Sequence, residues 1–173
     1  MGKMSRVTVF SLFAAGAASA ATSQSIIPEQ INPPAGQALS LIVAAKGVQI
    51  YECRESKAGA WEWTFVAPSA ELYDTTGAKI GRHYGGPSWE SVDGSRIVGT
   101  VKGHADAPAA NAIPWLLLDA KSNGAQGSFS KVMSVQRVNT AGGMAPKVGC
   151  SESNAGTPVR VPYTADYYFF TAK

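Results

Sequence analysis

Trp89-Glu-Ser-Val-Asp-Gly-Ser-Arg-Ile-Val-Gly-Thr-Val101 is the stretch that decides the fold class. Two short runs rich in β-branched and aromatic residues flank Asp93-Gly94, and Asp-Gly between such runs is a strong short-range signal for a hairpin. Just upstream, Ala60-Trp-Glu-Trp-Thr-Phe-Val66 alternates with period two, placing Trp61, Trp63 and Phe65 on one face and Glu62 and Thr64 on the other. This alternation predicts a strand whose aromatic face fills a core. Glu71-Leu-Tyr73 and Ala78-Lys-Ile80 flank the turn Asp74-Thr-Thr-Gly77, a further hairpin.

The pattern continues outward in both directions. Leu39 to Ala45 and Gly47 to Cys53 read as a hairpin or as one bulged strand, and Phe129 to Val138 and Val159 to Phe170 as longer strands. Trp115 to Lys121 is apolar and short, open to either a strand or a brief helix. No segment sustains a 3.6-residue period with helix caps over ten residues. The expectation is an all-β domain, an antiparallel sandwich or a partly open small barrel with little helix. The Asn139 to Gly149 stretch, with its three Gly and a Pro, reads as a long surface loop.

The N-terminus has a different character. Lys3 and Arg6 precede an apolar run from Val7 to Ala18, and Ala18-Ser-Ala20 offers the small residues of a cleavage site. Residues 1–20 are therefore read as a signal peptide, 21–36 as an extended, Pro-bearing lead-in and 37–173 as a single β domain. The apolar run is shorter than the roughly 20 residues a spanning helix needs, so no membrane span is expected after cleavage. Export, to the periplasm or the medium, also suits the cysteine count. Cys53 and Cys150 are the two cysteines, and one disulfide between them closes most of the domain into a loop.

Composition narrows the function classes. Of 173 residues, 16% are charged, and loss of Lys3 and Arg6 with the leader leaves 13 Lys+Arg against 12 Asp+Glu. Nothing remains that could neutralise a row of phosphates, so nucleic acid is a poor partner.

Six segments in order carry a family resemblance: Gly47 to Cys53, Trp63 to Pro68, Gly81 to Glu90 with Asp93-Gly-Ser95, Ile113 to Leu118, Val135 to Thr140 with Gly142-Gly143, and Val161 to Phe169. Together they resemble DUF3455, exported proteins of bacteria and fungi. The resemblance implies that both cysteines and His83-Tyr-Gly-Gly-Pro-Ser-Trp-Glu90 belong to the family pattern. It brings no activity, cofactor or catalytic residue with it.

Candidate chemistry gathers at Arg82 to Glu90. An imidazole, a phenol, an indole and a carboxylate sit beside two glycines and a proline that weaken a strand ladder. His83, Tyr84, Trp89 and Glu90 are therefore expected to border the main concave site, with His104 or Asp106 approaching from the Gly103 to Ala112 loop. The opposing reading is a β-bulge or sheet corner with no ligand. Trp61, Trp63, Trp89 and Trp115 serve either as core or as a stacking platform. Ser88 lacks the sequence context of an activated nucleophile. Glu90 and Asp93 have a spacing that permits, without favouring, an acid/base pair. The two histidines have no metal-ligand spacing, although Glu90, Asp93 or Asp106 could join them.

The leading functional reading is a non-enzymatic exported domain that binds a small molecule or saccharide through an aromatic-lined site. A metal-dependent or hydrolytic enzyme using His83 and Glu90 is the alternative. An extracellular interaction or inhibitor protein acting through the Asn139 to Gly149 loop is a third.

Overall fold

Eight antiparallel strands follow one another in sequence order, and the last pairs with the first to close a ring. They are β1 (Gln37–Glu55), β2 (Trp61–Tyr73), β3 (Lys79–Tyr84), β4 (Ser88–Ser91), β5 (Arg96–Ala105), β6 (Trp115–Ser122), β7 (Ser134–Gly142) and β8 (Pro158–Ala172). The computed structural model describes residues 26–173, so the leader read over 1–20 lies outside it. Among the described residues the only helical segments are two 3₁₀ turns, Glu29–Ile31 and Glu152–Asn154. The all-β expectation holds, and closure of the ring replaces the sandwich alternative.

The ring is irregular, and the irregularity shapes the site. β1 is one 19-residue strand rather than a hairpin, with register shifts near Leu39 and at Ile50/Tyr51. It pairs with β2 along its second half, but β3 covers β2 only from Ala70 to Tyr73. The first half of β2 therefore stands at an edge of the sheet, paired with β1 on one side and, among the described residues, with no strand on the other. That explains a correction: Trp61, Trp63 and Phe65 do not fill the core. The two indoles are half-buried, and Phe65 is 50% exposed with its ring edge-on to Tyr51 at 5.7 Å.

Inside the ring, alternation along each strand builds the main core. β8 shows it plainly, with Tyr163, Ala165, Tyr167 and Phe169 buried and Thr164 exposed between them. Val43, Leu72, Trp89, Ile97, Leu118 and Val135 complete the packing. Eight strands leave an interior that side chains can just fill, or that holds one small ligand. Gly99 makes room for the largest occupant, since a Cβ there would lie 2.8 Å from the Trp89 ring.

A second, smaller cluster lies on the outer wall. Ile31 is fully buried against Ala105, Trp115, Leu117 and Val138, so the segment before β1 packs on β5, β6 and β7 as a strap. Gln136 Nε2 donates to the Ile31 carbonyl at 2.7 Å. Gly103 lets the strap cross, because a Cβ there would meet the Gln30 carbonyl at 2.4 Å. Trp115 thus belongs to the outer cluster, in a strand and not a short helix.

The two ends of the ring close differently. At one end, the β6–β7 loop folds into turns over Gly127–Val132 and places Phe129, fully buried, against Phe169 at 4.9 Å. The strand expected to begin at Phe129 begins instead at Ser134. Ser128 and Ser130 hydroxyls hold these turns and outcompete the ladder. At the other end, the disulfide Cys53–Cys150 ties the end of β1 to the β7–β8 loop. The loop read over Asn139 to Gly149 starts later than expected, since β7 runs to Gly142 and Gly143 bridges to Ala112.

Candidate functional site

Antiparallel pairing sorts the Arg82 to Glu90 residues onto two faces. Across the β3–β4 hairpin His83 opposes Trp89, and Arg82 opposes Glu90. Opposed residues share a face and neighbours do not. His83 and Trp89 therefore point inward, and Arg82, Tyr84 and Glu90 outward. Gly86, at φ 132, forms the turn with Pro87.

The inward pair sits in an aromatic stack. His83 and Trp89 rings lie 4.5 Å apart and 17° from parallel, and Tyr167 meets both edge-on at 5.0 and 5.4 Å. His83 Nδ1 donates to the Ser88 carbonyl at 2.8 Å. Burial drives the imidazole pKa down to about 3, the Ser88 hydrogen bond opposes this, and the Arg137 guanidinium adds to the lowering. His83 is neutral at physiological pH. It bonds the Ser88 carbonyl and not its hydroxyl, so it does not prepare that serine for attack.

The outward trio is self-contained. Glu90 accepts from Arg82 at 3.1 Å through both oxygens and from the Tyr84 hydroxyl at 2.6 Å, while the Arg82 guanidinium lies over the Tyr84 ring at 5.1 Å. The Tyr84 hydrogen bond first and Arg82 second hold the Glu90 carboxyl below its usual range. Asp93 accepts from the backbone and hydroxyls of Ser95 and Ser128, which also lower its pKa, the Ser95 hydroxyl most. A general acid needs a raised pKa, and both carboxyls move the other way. Glu90 and His83 face opposite sides of the sheet, and among the described residues no three His, Cys, Asp or Glu side chains gather to hold a metal.

A cavity of about 460 Å³ with a mainly apolar lining lies at the disulfide-tied end of the ring. Phe65, Val66 and Pro68 of β2 flank it on one side of the open seam and Gly86-Pro87 on the other, with Val101 also at the rim. Its depths are Trp89, Ile113, Leu118 and Tyr167 together with Gln49, and the half-buried Arg137 also lines it. Of the residues singled out in the sequence, Trp89 lines the cavity and His83 backs it. Tyr84 and Glu90 lie on the outer wall. His104, opposite the lining residue Leu116, and Asp106 are exposed and outside the lining.

Sequence reasoning missed the polar residues of the cavity. Arg137 pairs with Tyr167 across β7–β8 and with Leu116 across β6–β7, which puts it on the inward face beside two lining residues. Its Nε and Nη2 donate to the Pro114 carbonyl at 3.1 and 2.8 Å. A signal was present: in Val135-Gln-Arg-Val138 the arginine shares the phase of the buried Val135. Gln49 is 2% exposed, and among the described residues neither its Nε2 nor Trp89 Nε1 has a hydrogen-bond partner. Tyr51 donates to the Gly143 carbonyl at 2.7 Å, which fixes one cavity wall to the β7–β8 loop.

Comparison with known proteins adds one relation. No curated protein and no solved structure matches the chain. A family model described as "Protein of unknown function (DUF3455)" matches residues 34–171, from before β1 almost to the end of β8, and the chain belongs to that family.

Proposed function

We propose that this protein is an exported binding domain that holds one small, largely apolar molecule in the cavity at the open end of the ring. The observation that carries this reading is the cavity itself. Its volume lies in the range of small-molecule sites, and residues from seven of the eight strands, all but β3, converge on it. Three of its rim side chains, Phe65, Val66 and Val101, are apolar yet exposed, as expected where a ligand enters. The apolar lining supports a hydrophobic ligand over the saccharide also considered, since a sugar needs many convergent polar partners.

The outer wall supports a water-soluble domain. Lys79–Glu71, Arg82–Glu90 and Lys102–Asp119 are ion pairs on exposed positions, while the interior is apolar, the reverse of a lipid-facing barrel. Among the described residues no helix is long and apolar enough to cross a membrane. The disulfide fits the oxidising compartment to which the leader points.

Titration calorimetry with small aromatic and acyl compounds tests the reading, using Leu116→Trp to fill the cavity. Saturable binding at one site per chain, lost in a folded Leu116→Trp, is the expected result. Equal binding by both proteins contradicts it.

A further inference from the structure

The cavity has one sign of charge and nothing in it to balance that charge. Among the described residues Arg137 is the only charged one in the lining, and no Asp or Glu joins it there. The ion pairs among the described residues are Arg54–Glu52, Lys79–Glu71, Arg82–Glu90 and Lys102–Asp119, none of which involves Arg137. We propose that the cavity takes a small apolar monocarboxylic acid, with the carboxylate on Arg137 and the apolar body among Phe65, Ile113, Leu116 and Leu118. This inference rests on the binding reading above and names its ligand class.

Three features of the site converge on an anion. A half-buried guanidinium without a counter-charge is costly, and a bound carboxylate supplies the missing partner. The two bonds to the Pro114 carbonyl hold the guanidinium in place beside the Tyr167 phenol, and among the described residues no carbonyl or carboxylate takes its Nη1. Its planar fork suits a carboxylate. The unmet groups in the lining, Gln49 Nε2 and Trp89 Nε1, are N–H donors as well, which favours an acceptor-rich head over a cation. One guanidinium matches one negative charge, and the remainder of the lining is too apolar for a polyanion.

Two isosteric pairs separate this inference from the binding reading: 2-naphthoate with 2-naphthamide, and octanoate with octanamide, titrated into the full chain at pH 7. Each acid is expected to bind at least about tenfold tighter than its amide, the size of one charge-assisted pair. Arg137→Gln brings that ratio to about one, and Arg137→Lys leaves an intermediate preference because a point charge replaces the fork. Lys102→Gln, an exposed cation outside the lining, keeps the wild-type ratio. Equal affinity of wild type for acid and amide overturns the carboxylate inference and leaves the cavity reading standing. So does an acid preference that survives in Arg137→Gln. If no member of either pair binds, both fall. Should Arg137→Gln fail to fold, the wild-type ratio and Arg137→Lys decide.

Discussion

The two ends of the ring are built from the same strands and finished in opposite ways. At the closed end, Phe129 plugs the interior and the Asp93 carboxylate accepts from two backbone N–H groups and two hydroxyls, so a charge and a large side chain are both fully provided for. At the open end, a 97-residue disulfide loop ties the walls, yet the interior keeps a cavity and, among the described residues, a guanidinium with no acid and amide and indole donors with no acceptor. On the proposed reading, such a contrast separates a part that makes the fold stable from a part that receives a ligand.

Removing the plug should cost most. Phe129→Ala is expected to destabilise by about 3 to 5 kcal/mol, as for other buried Phe truncations, measured by urea unfolding. A loss as small as that of a surface substitution would show that the closed end is not the stabilising end. Cys53→Ser with Cys150→Ser removes the staple of the open end, at a cost of about 2 to 5 kcal/mol by the behaviour of native disulfides in small exported domains. Because the cavity walls meet at this tie and at the Tyr51–Gly143 hydrogen bond, ligand binding should weaken as well.

Acid should act through both regions in sequence. His83 has its pKa lowered by folding, so above pH 6.5 it is neutral in both states and contributes nothing to the dependence. Below pH 6.5 the unfolded chain takes a proton that the native protein refuses until about pH 3. Stability therefore falls by about 1.4 kcal/mol per pH unit across that window, and His83→Gln should flatten the slope. Asp93 has a lowered carboxyl pKa, so it contributes stability above the unfolded carboxylate range and loses it as pH falls through the native value. Its effect begins only below about pH 4, and Asp93→Asn should remove that later limb alone. A melting curve insensitive to pH between 6.5 and 4 would break the assignment of His83 to the dry interior.

The parts of this architecture that are local were legible in the chain. Asp93-Gly94 and Asp74 to Gly77 each place a turn with their own side chains and backbone, and the structure puts hairpins there. Which neighbour a strand lacks is not local. Trp61 to Phe65 alternates as a core strand does, but the aromatic face is half-exposed because β3 pairs only with the far half of β2. The His83 to Glu90 segment was legible as unusual, and period two alone would divide it between two faces. Arg137 was hidden for the opposite reason, since an arginine in a strand is ordinarily an outward residue. Only ring closure through β8 turns its side inward.

The difference between the two ends can be mapped directly by titrating 2-naphthoate into ¹⁵N-labelled protein and following amide and indole resonances. Saturable shifts are expected at Gln49, Tyr51, Leu116, Arg137 and Tyr167 and at the Trp89 indole, with Asp93, Ser95 and Ser128 to Val132 unmoved. Shifts concentrated at the Phe129 end, or no saturable shift at the open end, would contradict that expectation.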